Sequence, residues 1–265
     1  MDHHSIHAVE GIDPRLSITR SDAPDPLPLP PIVLLHGFGS SSQRNWVDTG
    51  WVRVLNDAGR SAIMIDLPAH GDSAAPGDAG AYAPSRMRAD ILQALFDERI
   101  LPLEPDSATS GVDVIGYSLG SRLAWELGAT QPEMIRRMVL GGPGTADPLA
   151  DFDLPGAERS LAGGPPSADP TTADLLRMAH AVPHHDLPSL LAMVSAIKTE
   201  PFTPDSAVPK MPVLLVAGDQ DDYAAGIADL ERWAPDARTV RVAGRNHTST
   251  ITARQFKDAA VDFLS

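Results

Sequence analysis

Cysteine is absent from this sequence of 265 residues. The chain therefore has no disulfide bridge, no thiolate metal ligand and no cysteine nucleophile. Disulfide bridges are typical of oxidising compartments, so their absence is compatible with the cytosol. On this basis we expect a cytoplasmic protein.

Positive charge is scarce, since 21 lysine and arginine residues stand against 35 acidic residues and the formal net charge is −14. Nucleic acids and anionic membrane surfaces attract basic patches, so neither is expected as a partner. No apolar run approaches the ~18–20 residues that span a bilayer, which argues against membrane insertion. Residues 1–18 lack a basic segment followed by an apolar core, so we expect no signal peptide. The expected partner is a small molecule, while the oligomeric state, monomer or homodimer, is left open.

Short apolar runs alternate with helical patterns along most of the chain, and 43% of its residues are hydrophobic. The runs predict buried strands at 32–35, 61–66, 111–116, 136–142, 211–218 and 238–244, with edge strands near 6–9 and 16–19. The helical patterns lie at 51–59, 84–99, 118–130, 224–233 and 253–264. This alternation predicts an α/β fold in which helices cover both faces of a mostly parallel sheet.

Residues 144–208 interrupt this alternation. Their first part is dense in proline and glycine, two helical patterns follow at 172–181 and 187–198, and no strong strand pattern is present. The sequence thus predicts a helical lid, or cap, inserted at 144–208 over one end of the sheet. Residues 1–143 and 209–265 would together form the core domain.

Polar residues follow the predicted strands at the points where the strands end. Ser118 follows the strand at 111–116, Asp219, Asp221 and Asp222 follow the strand at 211–218, and His247 follows the last strand. In open α/β sheets, ligands bind at the carboxyl ends of the strands, so these side chains are expected close together. A serine hydroxyl becomes an effective nucleophile when a base lies within hydrogen-bond reach and a third group orients that base.

Five motifs at the strand ends make residues 32–265 resemble the α/β-hydrolase fold family. The motifs are HGFGSS at 36–41, DLPAHGDS at 66–73, GYSLGS at 116–121, VAGDQDD at 216–222 and NHTST at 246–250. Ala69 departs from the family pattern, because many relatives have glycine before the histidine at position 70. We expect that departure to change loop packing and not the chemistry.

The resemblance implies a nucleophile elbow, a strained strand-to-helix turn that presents the Ser118 hydroxyl. It implies His247 as the base and Asp221 as the acid that orients it, because the family pattern places the acid three residues after the glycine at 218. Asp219 and Asp222 stay as alternatives for the acid.

The resemblance also implies an oxyanion hole formed by the backbone N–H groups of Phe38 and Leu119. His36 and His70 lie in family loop motifs, and we expect both to hydrogen-bond the backbone. No metal or cofactor is required by this arrangement.

The activity that the resemblance implies is hydrolysis of small-to-medium apolar carboxylic esters through an acyl-enzyme. Relatives that open epoxides or remove halide have aspartate at the elbow, whereas this chain has serine. The residues expected in the substrate pocket are Gly37, Tyr117, Leu175, Met178, Leu191, Val194 and Thr248. Three cations of the predicted lid, Arg159, Arg177 and Lys198, are candidates for binding a carboxylate, although solvation in water is favoured for all three.

Three other functions stay open at the sequence level. A carbon–carbon bond or enol-lactone hydrolase uses the same triad, but ring-fission relatives often have a tryptophan shortly after the histidine and none follows His247 here. A thioesterase or a lyase of the vitamin K pathway shares the fold, but the predicted lid has no clear basic cluster for an acidic substrate. A non-enzymatic small-molecule receptor is disfavoured by the intact set of serine, acid and histidine.

Overall fold

The computed structural model describes residues 16–182 and 186–265, together with the backbone of residues 5–7, and contains an eight-stranded sheet in this part of the chain. Its strands are β1 (Ser5–His7), β2 (Ile18–Ser21), β3 (Ile32–Leu35), β4 (Ala62–Ile65), β5 (Val112–Tyr117), β6 (Ile135–Gly141), β7 (Val213–Gly218) and β8 (Ala237–Val242). Their spatial order is β1-β2-β4-β3-β5-β6-β7-β8.

The sheet is mostly parallel, which confirms the predicted fold class. Strands β3 to β8 pair in parallel, while β1 and β2 pair antiparallel at one side. The strand predicted near 16–19 begins later, and it is not an edge strand because β1 pairs with its outer side. Of the strand predicted at 6–9, residues 8 and 9 lie outside the described residues.

Nine α-helices lie in the described part of the chain. They are α1 (Trp51–Asp57), α2 (Pro84–Asp97), α3 (Leu119–Thr130), α4 (Leu154–Leu161), α5 (Pro170–His180), α6 (Leu187–Thr199), α7 (Ile227–Trp233), α8 (His247–Thr250) and α9 (Arg254–Leu264). Within the described residues, none of these helices has both the length and the hydropathy needed to cross a bilayer.

Two hydrophobic cores lie on opposite faces of the sheet. Successive side chains of a strand point to opposite faces, and β3 shows this directly: Val33 and Leu35 enter one core, whereas Ile32 and Leu34 enter the other. The first core includes residues of α2, α3 and α6, and the second includes residues of α1 and α9. Every residue of β3, β4, β5 and β7 is buried, which explains why β3, β4 and β7 have continuously apolar sequences.

The segment between β6 and β7 contains three helices, of which the sequence analysis predicted two. The additional helix is α4, and its N-terminus is capped by Asp153, whose Oδ1 accepts a hydrogen bond from the Gly156 N–H at 2.9 Å. The helix α6 buries one side in the first core, so this segment packs on the body of the protein. The division of the chain into a core domain and a lid at 144–208 stays a prediction.

The start of α3 lies in very close contact with the ends of β3 and β5. A Cβ atom placed on Gly120 would lie 2.1 Å from the Leu35 carbonyl oxygen, and one placed on Gly116 would lie 2.4 Å from the Gly120 carbonyl oxygen. Glycine at both positions is therefore a packing requirement of the junction between β5 and α3.

Gly120→Ala is expected to lower the free energy of unfolding by about 2 kcal/mol or more, because backbone atoms must shift to admit the methyl group. Gly77→Ala is the matched control, since a Cβ on Gly77 has no heavy atom within 4 Å. Urea unfolding of the two variants and the parent chain measures the difference. Equal unfolding midpoints for both variants would show that the junction is not tightly packed.

Candidate active site

Ser118 has a strained backbone at the junction of β5 and α3. Its φ of +54° lies in the region that favours glycine, and its ψ is −116°. Backbone hydrogen bonds hold this conformation: the Ser118 N–H donates to the Gly141 carbonyl at 2.9 Å, and the Ser118 carbonyl accepts from the N–H groups of Ser121 at 2.8 Å and Arg122 at 3.2 Å. The neighbouring structure thus fixes the peptide on both sides, and the Ser118 side chain is free to interact outside α3.

The Ser118 hydroxyl begins a chain of hydrogen bonds that ends at a buried carboxylate. Its Oγ lies 2.9 Å from His247 Nε2, and His247 Nδ1 lies 3.0 Å from each of the two carboxylate oxygens of Asp221. The Asp221 carboxylate is fully buried, whereas the imidazole keeps 11% of its surface exposed. An imidazole in this position can accept the hydroxyl proton through Nε2 while Nδ1–H donates to Asp221.

The structure separates the three candidate acids. Of these three acids, as the described residues place them, only Asp221 hydrogen-bonds His247; it lies three residues after the end of β7 and its carboxylate is buried. The carboxylate of Asp219 is exposed and accepts a hydrogen bond from the Gly244 N–H at 2.8 Å. Asp222 is exposed and begins a 3₁₀ turn. The contact geometry thus agrees with the acid that the family pattern selects.

Several contacts fix the position of the His247 ring. His247 is the first residue of α8, which Asn246 caps by accepting from the Ser249 N–H at 3.0 Å. The Tyr117 hydroxyl donates to the His247 carbonyl, and the Tyr223 ring packs edge-to-face on the imidazole with centroids 4.8 Å apart. Burial raises the pKa of Tyr117, so its phenol stays protonated as the donor. Sequence reasoning did not identify Tyr223, although it lies only two residues after Asp221.

In the loop at 36–40, the backbone N–H of Phe38 lies between two N–H groups, those of Gly37 and Gly39, that donate hydrogen bonds to side chains. The Gly37 N–H donates to Asn45 Oδ1 at 2.9 Å, and the Gly39 N–H donates to His70 Nε2 at 3.0 Å. The hydrogen bonds of the described residues include none from the N–H groups of Phe38 or Leu119. Both of these residues lie in the wall of the same cavity as Ser118.

The side chains of His36 and His70 support this loop by hydrogen-bonding the backbone, as expected from the sequence. Both rings are completely buried, and His36 Nε2 accepts from the Leu67 N–H at 3.0 Å, just as His70 Nε2 accepts from Gly39. The Nδ1 atoms lie 2.8 Å and 2.9 Å from the carbonyls of Gly37 and Pro68. This pattern requires a neutral ring with its proton on Nδ1, which makes both histidines structural.

A cavity of about 480 Å³ is lined by Ser118 and His247. Five of the residues predicted for the pocket lie in its wall, namely Gly37, Tyr117, Leu175, Met178 and Thr248. Leu191 and Val194 lie instead in the first hydrophobic core, because that side of α6 faces the body of the protein. Apolar wall residues that were not predicted for the substrate pocket include Phe38, Trp125, Leu149, Val182, Phe202 and Ile251.

The three cations predicted as carboxylate candidates differ in their positions. Arg177 lines the cavity. Lys198 Nζ donates to the Ala150 carbonyl at 2.7 Å, and Arg159 is exposed outside the cavity wall. Two further arginines, Arg44 and Arg122, lie in the wall and were not singled out from the sequence. Neither belongs to the predicted lid at 144–208, because Arg44 lies before residue 144 and Arg122 lies on α3.

Two curated proteins illustrate the similarity of this chain to known sequences. An esterase of Mycobacterium tuberculosis is 32% identical over 111 residues, which cover 42% of this chain and 32% of that protein. A 2-hydroxy-6-oxononadienedioate/2-hydroxy-6-oxononatrienedioate hydrolase of Cupriavidus pinatubonensis is 28% identical over 153 residues, which cover 56% of this chain and 47% of that protein. The matched segments thus span less than half the length of either relative.

The similarity to a solved structure and to a family model extends over far more of the chain than the similarity to these two proteins does. The crystal structure of an epoxide hydrolase from Vigna radiata superposes with a TM-score of 0.75 at 18% identity, covering 100% of this chain and 98% of that chain. At this identity the likeness shows a shared fold. Residues 32–259 match the sequence model of the alpha/beta hydrolase family. Because that match extends over most of the chain, this protein belongs to the alpha/beta hydrolase family.

Proposed function

We propose that this hydrolase cleaves small-to-medium carboxylic esters through an acyl-enzyme formed on Ser118. The observation that supports this most is the pair of contacts from Ser118 Oγ to His247 Nε2 at 2.9 Å and from His247 Nδ1 to Asp221 at 3.0 Å. A nucleophile, a base and an orienting acid in this sequence of contacts are typical of acyl transfer.

In the first half of the proposed reaction, Ser118 Oγ attacks the ester carbonyl carbon while its proton moves to His247 Nε2. The carbonyl oxygen becomes an oxyanion that accepts hydrogen bonds from the N–H groups of Phe38 and Leu119. The imidazolium is stabilised by the buried Asp221 carboxylate. It then returns the proton to the departing alkoxide, which leaves as an alcohol, and Ser118 keeps the acyl group.

In the second half, a water molecule attacks the acyl carbon while His247 Nε2 accepts one of its protons. The same two amides stabilise the second oxyanion, and its collapse breaks the bond to Ser118 Oγ. His247 then donates its proton to Oγ, which regenerates the serine and releases a carboxylic acid. The net reaction is ester plus water to acid plus alcohol.

The size and composition of the cavity support the proposed substrate class. A volume of about 480 Å³ accommodates a small or medium organic molecule. Side chains such as Leu175, Met178 and Phe202 give the wall an apolar surface that suits an acyl chain.

We further propose that the insertion at 144–208 acts as a lid through α5. A Cβ atom on Gly39 would lie 3.2 Å from Ala179 Cα, so α5 packs directly on the loop that contains Phe38. Thr171, near the start of α5, lies close to the Tyr223 side chain, whose ring contacts His247. Displacement of α5 would therefore open the cavity and loosen contacts to the base at the same time.

Carbon–carbon bond hydrolysis is the second candidate. It is favoured by the 28% identity to the dienedioate hydrolase of Cupriavidus pinatubonensis. Hydrolysis of vinylogous diketones without hydrolysis of simple esters would select this alternative. Epoxide opening has less support, because Ser118 occupies the elbow and residues 143–210 contain no tyrosine.

Ser118→Ala is expected to lower kcat/KM for p-nitrophenyl esters by about 10³-fold or more, because the attacking atom is lost. Release of p-nitrophenolate from acetate, butyrate and octanoate esters measures the rate. Ser206→Ala, an exposed serine outside the cavity wall, is the control and should retain the parent rate. Equal rates for the parent and Ser118→Ala would refute the assignment.

Asp221→Asn is expected to lower kcat by about 10²-fold or more, because an amide no longer stabilises the imidazolium or selects its tautomer. Asp222→Asn removes the charge of the neighbouring exposed residue and should change kcat by less than about 2-fold. Steady-state kinetics of both variants distinguish the two carboxylates. If Asp222→Asn lowered kcat more than Asp221→Asn did, the assignment of Asp221 as the acid would be wrong.

Asn45→Ala is expected to lower kcat by about 10-fold with little change in KM, because the Gly37 amide loses its acceptor and the Phe38 amide is less firmly aimed. Gln43→Ala is the control from the same turn, since Gln43 pairs with Asp48 away from the cavity. A rise in KM at constant kcat would indicate that Asn45 binds substrate and does not position the loop.

A further inference from the structure

The charge of the cavity wall is opposite in sign to that of the whole chain. Among the described residues of the wall, the side chains with a formal charge are three arginines, Arg44, Arg122 and Arg177, and one acid, Asp147. The chain as a whole has a formal net charge of −14. Clefts lined by one sign of charge concentrate ligands of the opposite sign, so this local excess of cations bears on what the cavity binds.

Arg122 does not contribute to that excess, because its charge is compensated inside the protein. Its guanidinium forms an ion pair with Asp147 and a second one with Glu126 at 3.2 Å. It also lies over the Phe202 ring at 5.4 Å from the centroid, and only 6% of the residue is exposed. Arg122 and Asp147 thus form a neutral part of the wall.

Arg44 and Arg177 come together at the end of α5. Arg44 Nη1 donates a long hydrogen bond of 3.4 Å to the Ala181 carbonyl, and the Ala181 N–H donates to the Arg177 carbonyl at 3.2 Å. Residues 177 and 181 are one helical turn apart and lie on the same side of the helix. Both arginines line the cavity, and Arg44 contacts the residue one helical turn after Arg177, so the two residues are neighbours in its wall.

Among the described residues, acidic side chains neutralise the positive charges of these two arginines only weakly. Among the ion pairs of the described part of the chain, none includes Arg44, and Arg177 forms one with Asp174 on its own helix at 2.8 Å. The side chains of that pair are 74% and 60% exposed, so water screens it and the pair is easily exchanged for another partner. The guanidinium fork matches the two oxygens of a carboxylate.

We propose that Arg44 and Arg177 form a carboxylate-binding subsite of the cavity, and that the natural substrate is an ester that also has a free carboxylate. This inference rests on the proposed ester hydrolysis at Ser118 and narrows its substrate class. The apolar wall between the arginines and Ser118 would hold a short hydrocarbon spacer. The carboxylate belongs either to the acyl part, as in a half-ester of a dicarboxylic acid, or to the alcohol part, as in an acylated hydroxy acid.

The subsite is tested with pairs of esters in which one member has a free carboxylate and the other has an uncharged group in its place. Monomethyl esters of the dicarboxylic acids from succinate to suberate are compared with the corresponding dimethyl esters, and 4-acetoxybutanoate is compared with pentyl acetate. We expect kcat/KM to favour the carboxylate ester of at least one pair by about 5- to 10-fold, and the preference to fall as NaCl is raised. The first set detects a carboxylate on the acyl part and the second detects one on the alcohol part.

The variant Arg44→Gln, Arg177→Gln is expected to reduce that preference to about 1, through a rise in KM for the carboxylate ester. Arg159→Gln is the matched control, because it removes an exposed arginine of the insertion that lies outside the cavity wall. A neutral ester preferred in every pair, or a preference that survives the double substitution, would overturn the subsite.

Binding to the Ser118→Ala protein separates the subsite from the chemistry. Calorimetric titration with the same dicarboxylate half-esters requires no turnover, and we expect affinity to fall about 5-fold or more when both arginines are replaced by glutamine. Binding without hydrolysis in the parent chain would retain the subsite and reject the ester hydrolase. Ester hydrolysis without this binding would retain the hydrolase and reject the subsite.

Discussion

The left-handed backbone of Ser118 is the constraint on which the site depends. A non-glycine residue held in such a conformation costs about 1–3 kcal/mol, and surrounding packing must supply that free energy. Here the closely packed glycines at 116 and 120 and the hydrogen bond from Ser118 to Gly141 fix the turn. The strain has a consequence for chemistry, because it directs the side chain toward His247 and leaves the Leu119 amide at the open end of α3.

The remaining parts of the site reach Ser118 because parallel strands end at one edge of the sheet. The loop after β3 brings Phe38, the end of β7 brings Asp221, and the segment after β8 brings His247. The buried, neutral rings of His36 and His70 hold the loop after β3. The N-cap residue Asn246, together with Tyr117 and Tyr223, holds the imidazole of His247. The polar groups are therefore aligned by the rigid core before any ligand binds, and a preorganised arrangement of this kind avoids reorganisation during the reaction.

The predictions of the sheet and of the candidate site rest on different signals in the sequence. A continuous apolar run of only four residues, such as 32–35, is too short for a typical helix and therefore predicts a strand buried on both faces, which the structure confirms. Ser118 and His247 could be singled out from the sequence because each lies in a short motif that follows a predicted strand. The helix α4 was missed because proline and glycine dominate its surroundings, although Asp153 followed by a proline in the first turn was a readable start signal.

Other features were not readable because they depend on distant parts of the chain. Helical spacing shows that α6 has an apolar side, but it does not say whether the body or the cavity covers that side, and Leu191 and Val194 face the body. Asn45 and Arg44 acquire their positions from contacts with Gly37 and Ala181, which tertiary folding alone creates. The charge of the cavity wall likewise emerges from residues widely separated in sequence.

Covalent labelling tests the central claim most directly. A fluorophosphonate reacts with a serine hydroxyl that a neighbouring base has activated and mimics the tetrahedral oxyanion. The account predicts one adduct per chain, found on Ser118 by peptide mass spectrometry, and about 10²-fold slower or no labelling in His247→Ala. An adduct on another residue, or undiminished labelling of Ser118 without the imidazole, would contradict it.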